Sequence, residues 1–434
     1  MARINTPVAP IHTHEGAKAQ HINAEQQLRR SVMSCMLWEA EFYEDGQTIA
    51  TRIAEGVAKV APEKVAAIAV EAREKMKLRH APLLIVREMA RLPMHKSLVA
   101  DTLATVIQRA DELAEFLAIY WKDGKQPLSK QVKTGLARAF TKFSAYDLAK
   151  YNRDGAVKLR DVLFLCHAKP KDSDQADTWK QLVEGALPIP DTWEVNLSAG
   201  KDKKETWERL LAEKKLGALA LLRNLRNMAE SGVDETMVFQ ALDEMKVDRV
   251  LPFRFIAAAR FVPQWEPALE RAFLRCAETG ELSGKTVILV DVSGSMDAAL
   301  SEKSDMRRVD AACGVAMVAR ELGDCRVFSF SSALAEIPAR HGFALRDAIN
   351  HSQGHAATYL GAAVRYINEN VPCDRLIVVT DEQSRDAVPA PAGKGYMINV
   401  ASAKNGVGYS AWTHIDGFSE AVLGYIRETE LQAM

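Results

Sequence analysis

Apolar residues recur at three- and four-residue intervals through most of the first 277 residues, and this spacing predicts amphipathic helices. The segments 62–78 and 96–121 show the pattern well. Prolines such as Pro62 and Pro93 stand at breaks in it, where a first helical turn tolerates the missing N–H. Helical runs separated by short breaks predict stacked helix pairs. The segment 170–204 is rich in Pro, Asp, Ser and Gly, and is predicted to be a long irregular connection.

From residue 285 onward, continuous apolar runs alternate with helical ones. Such runs, bounded by small residues, predict buried parallel strands at 285–291, 325–332, 374–381 and 395–401. Helical spacing is predicted at 305–322, 359–370 and 419–428. This alternation predicts a doubly wound α/β sheet, in which ligands bind beyond the carboxyl ends of the strands.

The two patterns predict an N-terminal arm at 1–23, a helical domain at 24–277 and an α/β domain at 278–434. The length of 434 residues, with 48% hydrophobic and 26% charged residues, is ordinary for a globular protein of two domains. No apolar run approaches the roughly 18 residues of a membrane-spanning helix, and the N-terminus lacks the apolar core of a secretory signal. The six cysteines form no CxxC pair, which favours a reducing cytoplasm over a disulfide framework or a zinc site.

The net charge of −1 hides an uneven distribution along the chain. Residues 122–171 contain 12 Lys and Arg against 4 Asp and Glu, a net charge of +8. A cluster of that sign suits a polyanionic partner, because each phosphate that it neutralises releases counterions. The charge alone is equally compatible with a solvated basic helix face.

Oxygen-bearing side chains follow both central strands of the predicted sheet. Asp291, Ser293 and Ser295 lie in the sequence DVSGSM after the first strand, and Asp381 ends the strand LIVVTD. Thr358 stands just before a predicted helix and adds a third hydroxyl. Carboxylates and hydroxyls are hard oxygen donors, a set that suits octahedral Mg²⁺ or Mn²⁺. Asp and Ser also cap helices, so a lone DxSxS would be weak evidence.

These five residues match, in strand-loop order, the metal-ion-dependent adhesion site that the α/β segment resembles in von Willebrand factor A domains. An enzymatic site fits the sequence less well. A phosphatase usually needs a second acid two residues after its nucleophilic aspartate, where this chain has Ser293. The segment lacks the GxSxG elbow of hydrolases and any glycine-rich phosphate loop. We therefore expect a binding protein and no catalytic residues.

Three motifs in the helical part resemble the TROVE domain of the Ro ribonucleoprotein family. The segment 28–46 (LRRSVMSCMLWEAEFYEDG) is similar to its opening motif, and the segment 148–170 to its central motif, which ends in L-x-H-x-K-P. The segment 205–228 is similar to a third, in which a Trp-Glu pair leads into an LLRNL helix. With the A domain behind them, the resemblance covers nearly the whole chain.

The resemblance implies a mostly α fold with an α/β part: a ring of HEAT-like helical repeats joined by the von Willebrand factor A domain. It also implies binding of structured small noncoding RNA (Y-like RNA) on a basic outer surface. Single-stranded ends of misfolded RNA would be bound in the ring cavity. The implied role is RNA quality control by a cytoplasmic monomer without a membrane partner, in cooperation with an RNA nuclease or repair enzyme.

The resemblance places RNA contacts within the basic segment, with Lys150 and His167 as its motif residues. Further phosphate contacts are expected from Lys133, Arg138, Lys142, Arg153, Lys158 and Arg160. His167 follows an apolar run, and without the motif it would be interpreted as a buried histidine. The chain departs from relatives at Asp154, where they carry a second basic residue four positions after Lys150, so the contact surface is expected to be shifted or weakened.

Two other functions compete with RNA binding. A protein-interaction scaffold would capture an acidic residue of a partner through Mg²⁺ at the A-domain site, with the helical part as support. An RNA-processing enzyme would need an acid–base or nucleophile constellation, and the sequence contains none. RNA binding remains the leading hypothesis because three motifs and a local charge of +8 agree on it.

Overall fold

In a computed structural model of the chain, the described residues are 11–33, 46–152, 155–247, 250, 253–277, 281–300, 306–401, 403–417, 422, 423, 426, 427 and 430. The opening TROVE-like motif at 28–46 and the predicted closing helix at 419–428 lie largely outside them. None of the helices within these ranges is long and apolar enough to cross a membrane. Contacts divide the chain into two compact units, a helical unit over 24–38 and 47–215 and a sheet unit that contains 1–23 and 216–434.

The helical unit is built from short antiparallel helices, as the apolar spacing predicts. Their bounds are α1 Ala24–Met33, α2 Gly46–Lys59, α3 Pro62–Glu74, α4 His80–Arg91, α5 Lys96–Val106, α6 Asp111–Tyr120, α7 Lys130–Phe140, α8 Ala145–Tyr151, α9 Leu159–Cys166, α10 Ser173–Glu184, α11 Trp193–Ser198 and α12 Lys203–Ala212. One continuous hydrophobic core extends from Leu28 in α1 to Leu182 in α10.

Helix α7 shows how this packing leaves a basic face outside. The Oγ atom of Ser129 caps its start by accepting the backbone N–H of Val132 at 3.3 Å. Val132, Leu136 and Phe140 are buried on one side. Gly135 lets α5 approach closely, because a Cβ atom there would lie 2.9 Å from the Ala100 carbonyl oxygen. The lysines of α7 are therefore left on the opposite side.

The expectation of an irregular connection over 170–204 is wrong, because α10 and α11 lie within it. The polar residues that suggested a loop are helix caps: Asp172 accepts the backbone N–H of Gln175 at 2.8 Å, and Thr192 caps α11. Trp179 and Leu182, three residues apart, bury the inner face of α10. The ring of Trp179 meets that of Phe140 edge-on, with centroids 5.2 Å apart.

The sheet unit contains four helices before its first strand: α13 Ala218–Glu230, α14 Glu235–Glu244, α15 Phe253–Phe261 and α16 Glu266–Ala277. By contacts these helices group with the sheet, whereas the sequence pattern separates the domains at residue 277. The remaining elements are β1 Thr286–Asp291, α17 Arg308–Glu321, β2 Cys325–Phe330, β3 Leu334–Glu336, α18 Gly342–Asn350, α19 Leu360–Asn370, β4 Arg375–Thr380, β5 Lys394–Asn399 and β6 Thr413–Asp416.

The six strands form one mixed sheet in the order β3-β2-β1-β4-β5-β6. All neighbours pair in parallel except the short edge strand β3, which pairs antiparallel with β2. The four predicted strands and the helices at 305–322 and 359–370 are confirmed as β1, β2, β4, β5, α17 and α19. Strands β1 and β4 are central and buried along their whole length, so their carboxyl ends emerge side by side at one edge.

The described part of the N-terminal arm packs against the loop that follows β4. Thr13 Oγ1 donates to the Ser384 carbonyl oxygen at 2.7 Å, and the backbone N–H of Ala17 donates to the same oxygen at 3.2 Å. Arg385 Nε donates to Glu15 Oε2 at 2.8 Å. Ala17 itself is buried in the core of the sheet unit. These residues are therefore part of the sheet unit and not an extended free tail.

A buried ion pair fixes the start of β4, and we expect its removal to be costly. Arg375 Nη2 and Nε lie 2.6 and 2.9 Å from the Glu430 carboxylate, to which the Tyr396 hydroxyl also donates at 3.0 Å. Replacing Glu430 by glutamine leaves the buried guanidinium without its counter-ion. The free energy of unfolding should therefore fall by about 3 kcal/mol in urea titrations.

The control is the ion pair Arg326–Glu336. Its charged atoms are 2.8 Å apart, and both side chains are about half exposed. Glu336→Gln should change the free energy of unfolding by less than about 1 kcal/mol. Arg375 lowers the pKa of Glu430 to about 2. The stabilisation by Glu430 is therefore complete above the unfolded pKa of roughly 4.3 and is lost as the pH falls through about 2. Equal effects of the two substitutions would contradict the assigned role of burial.

Candidate metal centre and nucleic-acid interface

The carboxyl end of β1 continues into a tight loop that carries Asp291, Ser293 and Ser295. Asp291 Oδ1 accepts the backbone N–H of Ser293 at 2.8 Å, which folds the loop back towards the strand. The Oγ atoms of Ser293 and Ser295 lie 3.4 Å apart. All three residues are buried. The alternate spacing of the sequence therefore brings the two hydroxyls together beside the aspartate.

The loop of Thr358 is tied to the loops that follow both central strands. The Gly294 N–H donates to the Ala356 carbonyl oxygen at 3.0 Å, and the Arg385 N–H donates to the Thr358 carbonyl oxygen at 2.8 Å. Asp381 directly follows β4, the parallel neighbour of β1. The loops of the predicted ligands Asp291, Ser293, Ser295, Thr358 and Asp381 thus meet at one edge of the sheet, and all five residues are buried.

The two carboxylates of this group are short of compensating charge. Burial, and secondly the neighbouring Asp381, raise the pKa of Asp291 far above its usual range. Asp291 Oδ2 accepts the Thr380 hydroxyl at 2.5 Å. The buried Oδ2 of Asp381 has no hydrogen-bond donor within the described part of the chain. The nearest guanidinium, that of Arg308, lies 3.8 Å from it.

This donor set passes a chemical test for a hard divalent cation. Two buried carboxylates, one with an oxygen that lacks a donor, are costly unless a positive charge compensates them. Hydroxyl and carboxylate oxygens are ligands that Mg²⁺ and Mn²⁺ accept. Within the described ranges no cluster of three His, Cys, Asp or Glu residues could bind a metal.

A basic cavity of about 580 Å³ opens between α7 and the end of α9. Three of the eight predicted RNA-contacting residues, Lys133, Arg138 and His167, line it. Lys130 and Lys169 line it as well, together with the apolar side chains of Leu128 and Ala137. His167 is exposed and ends α9 in a left-handed conformation with φ of 54°. It is therefore not the buried histidine that the preceding apolar run would suggest.

The other predicted RNA-contacting residues have different surroundings. The ammonium group of Lys150 lies over the rings of Tyr146 and of Tyr151, the last residue of α8. Lys158 occupies the N-cap position of α9. Arg160 is exposed and 3.8 Å from Asp161. Arg153, with the departing residue Asp154, lies outside the described residues. The structure therefore gathers three residues of the predicted set at one cavity, and the other described members do not line it.

Lys142 is directed towards the carboxyl end of α5 and not towards the cavity. Its Nζ donates to the Ile107 carbonyl oxygen at 3.1 Å and also to that of Ala104. Burial lowers the pKa of this ammonium group. A lysine that binds the last carbonyls of a helix complements the helix dipole. Lys142 thus has a structural function that its position in a basic sequence cannot reveal.

Lys142→Met should therefore lower the free energy of unfolding by about 1 kcal/mol, because the carbonyl groups at the end of α5 lose their cationic partner. It should leave RNA affinity within twofold of wild type. Lys133→Met, which removes the same charge from α7, is the matched control and should show the opposite pattern. Urea unfolding and fluorescence anisotropy with labelled RNA measure the two effects. Equal losses of RNA affinity in both variants would show that Lys142 contacts RNA.

Two cavity residues, Lys130 and Lys169, are absent from the predicted contact set. The signal for Lys130 is the amphipathic pattern of α7: it lies three residues before Lys133, on the side opposite Val132 and Leu136. The signal for Lys169 is its position in the motif that contains His167. Hydrophobic periodicity applied to the individual helix would have found the first of them.

The TROVE domain model matches residues 184–358, which include the third motif at 205–228 but not the segments 28–46 and 148–170. Telomerase protein component 1 of Mus musculus is 36% identical over 89 residues, which are 19% of this chain and 3% of that protein. Its counterpart in Rattus norvegicus is 37% identical over 78 residues, or 17% and 3%. The matched segment is thus a small part of these much longer relatives.

A solved structure extends the comparison to nearly the whole chain. The crystal structure of the Deinococcus radiodurans RO (RSR) protein superposes with a TM-score of 0.60 at 19% sequence identity. The superposition covers 92% of this chain and 97% of that one. At this identity the likeness concerns the fold. Together with the TROVE match, it confirms the predicted resemblance to the Ro family.

Proposed function

We propose that this chain, which matches the TROVE domain over residues 184–358 and has the fold of a Ro protein, binds structured small noncoding RNA on the basic surface of its helical unit without catalysing a reaction. One observation carries the proposal: Lys130, Lys133, Arg138 and Lys169 converge on the cavity beside His167. TROVE-domain and Ro proteins form a family of RNA-binding ribonucleoprotein components, which gives this basic surface its most natural ligand.

The charges in the cavity are available to a ligand. Lys130, Lys133 and Lys169 have no ion-pair partner within the described part of the chain, whereas Arg138 pairs with Asp101. Three uncompensated ammonium groups around one concavity favour a polyanion whose phosphates follow a fixed path. Lysine and histidine donors read phosphate and sugar positions and little base sequence. We expect recognition of RNA shape, with strong salt dependence.

The proposal extends to the partners that the sequence resemblance implies. Y-like RNA would bind on the basic surface, and single-stranded ends of misfolded RNA would be bound in the ring cavity that the family resemblance implies. The protein would then act in RNA quality control or processing in the cytoplasm, as a monomer that cooperates with an RNA nuclease or repair enzyme. The supporting observations are the match to the TROVE model and the basic cavity.

The test is the affinity of the full chain for a labelled RNA hairpin with a single-stranded 3′ tail, measured by fluorescence anisotropy between 50 and 200 mM KCl. Contacts to about four phosphates predict a log–log salt slope near −3 to −4. A duplex DNA of equal length is the control for charge alone. A dissociation constant no tighter than roughly 10⁻⁵ M at physiological salt, equal for both ligands, would be non-specific binding and would refute the proposal.

A second function rests on the edge of the sheet. Asp291, Ser293, Ser295, Thr358 and Asp381 would bind Mg²⁺ or Mn²⁺, which would supply a Lewis-acidic position for a carboxylate of a protein partner. The supporting observation is the Asp381 oxygen that lacks a donor among the described residues. Asp291→Ala should abolish Mg²⁺-dependent binding of an acidic peptide and leave RNA affinity unchanged. If RNA affinity falls as well, the two sites are not independent.

A further inference from the structure

Helix α8 carries an exposed tyrosine beside a lysine that has no acidic partner among the described residues. Tyr146 is 51% exposed. Lys150, one helical turn later, lies with its Nζ 5.9 Å from the centroid of the Tyr146 ring and 5.7 Å from that of Tyr151. The helix is fixed at its start by a capping box between Ser144 and Asp147. The ring and the ammonium group therefore occupy one rigid face.

The ammonium group of Lys150 is held by aromatic rings and not by a carboxylate. In the ranges that the structure describes, no acidic side chain lies within ion-pair distance of it. The Tyr151 ring also contacts Arg109, whose Cζ is 4.7 Å from the ring centroid. A cation that lies over aromatic faces gains attraction from them but keeps its charge. Lys150 can therefore still bind an anion.

The carboxylates near Tyr146 differ in how far they are engaged. Asp147 accepts the Ser144 hydroxyl at 2.7 Å. Asp191 is bound by Arg209 at 2.9 Å and Lys215 at 2.7 Å. Glu194 has a buried Oε2 without a hydrogen-bond partner within the described chain. The described carboxylates of this region are thus capped, paired or buried, and they leave Lys150 without an ion-pair partner among the described residues.

We infer that Tyr146 and Lys150 form a binding site for one unpaired nucleotide of the bound RNA. The base stacks on the Tyr146 ring, and the Lys150 ammonium binds its phosphate. Stacking is tolerant of base identity because every base has a π face. The site therefore accepts any of the four bases.

This inference rests on the proposed RNA binding and deepens it. Phosphate contacts alone would give a surface that holds RNA by charge and shape. A stacking ring adds recognition of an unpaired position, which a perfect duplex cannot present. The site therefore distinguishes RNA with a bulge, loop or tail from continuous helix.

The experiment uses the full chain and hairpin RNAs whose single-stranded tails are oligo-A, oligo-C, oligo-G or oligo-U. Tyr146→Ala should weaken binding of the tailed hairpins by about tenfold, as loss of one stacked base does. The salt slope should not change, because no phosphate contact is removed. Tyr146→Phe should keep wild-type affinity. A 2-aminopurine in the tail should lose quenching in Tyr146→Ala and keep it in Tyr146→Phe.

A control variant completes the design. Tyr366→Ala removes a tyrosine of the sheet unit that is 50% exposed, and should change nothing. Unchanged affinity and quenching in Tyr146→Ala, with wild-type RNA binding intact, would overturn this inference but not the proposed function. A wild-type chain that binds none of the hairpins would overturn both.

Discussion

Replacing Lys130, Lys133 and Lys169 together by glutamine should weaken binding of the tailed hairpin RNA by on the order of tenfold to a hundredfold at physiological salt. It should also make the log–log salt slope shallower by about 2 to 3. The reason is that these three ammonium groups line one cavity and have no ion-pair partner among the described residues. Each lost phosphate contact removes nearly one released counterion from binding. Anisotropy titrations at four salt concentrations measure both quantities.

The control carries the same change in net charge elsewhere in the helical unit. Lys75, Lys96 and Lys203 are exposed and lie outside the cavity. Their joint replacement by glutamine should alter the salt slope by less than 1. The cavity variants should fold normally, because these lysines contribute little to the core. If both triple variants lose affinity equally, net charge and not the cavity determines RNA binding.

Only some of the residues around the cavity can be predicted from the sequence alone. The amphipathic pattern of α7 and the motif with His167 are local, and both point to the surface that the structure displays. These local patterns do not distinguish Lys142, which binds the end of α5, from the neighbouring basic residues that line the cavity. Its function depends on the carbonyl groups at the end of α5, some 35 residues away in sequence. The periodicity of apolar residues does not indicate which distant backbone group a given lysine will contact.

The α/β part was more predictable, because its signals are strong and local. Continuous apolar runs marked β1, β2, β4 and β5, and their order follows from alternation with helices. The short strands β3 and β6 and the helix α18 have no such signal. Strand β3, with only three residues, exists because it pairs with β2. In the helical part, α10 and α11 were missed because their capping residues resemble those of a loop.

The spacing in the sequence predicts the five candidate ligands, and the structure shows why their loops meet at one edge of the sheet. Strands β1 and β4 are adjacent, although 83 residues or more separate their sequences, so Asp291 and Asp381 emerge side by side. The sequence could indicate the donor chemistry. It could not show that an oxygen of Asp381 lacks a donor within the described chain, or that Arg308 is the nearest cation.

Asp291→Asn should have opposite effects on stability in the absence and in the presence of Mg²⁺. Without metal, two buried carboxylates repel each other, and burial with Asp381 raises the pKa of Asp291. The neutral amide removes this repulsion and leaves Asp381 with Arg308. The free energy of unfolding in EDTA should therefore rise by about 1 to 2 kcal/mol. The remaining acceptor of the amide can still bind the Ser293 N–H.

In saturating Mg²⁺ the wild-type protein should have the higher free energy of unfolding and Asp291→Asn the lower one. A ligand that binds only the folded state stabilises it by about 2.7 kcal/mol at a hundred times its dissociation constant. Asp291→Asn removes one of the two anionic ligands, so it should lose most of this increment. Urea unfolding in EDTA and in saturating Mg²⁺ gives both values. Asp297→Asn, on the same loop but paired with Arg307 and His355 at 2.8 Å, should keep the Mg²⁺ increment.

The crossing of the two stability orders is the informative result, because a purely structural role of Asp291 cannot produce it. Were the aspartate only a cap for the Ser293 N–H, its replacement would lower stability equally with and without Mg²⁺. Were the pair compensated by Arg308 alone, Mg²⁺ would stabilise neither protein. Two results together identify the carboxylate pair as a metal site. Mg²⁺ raises the free energy of unfolding of the wild-type protein, whereas Asp291→Asn is stabilised by the substitution itself and not by Mg²⁺.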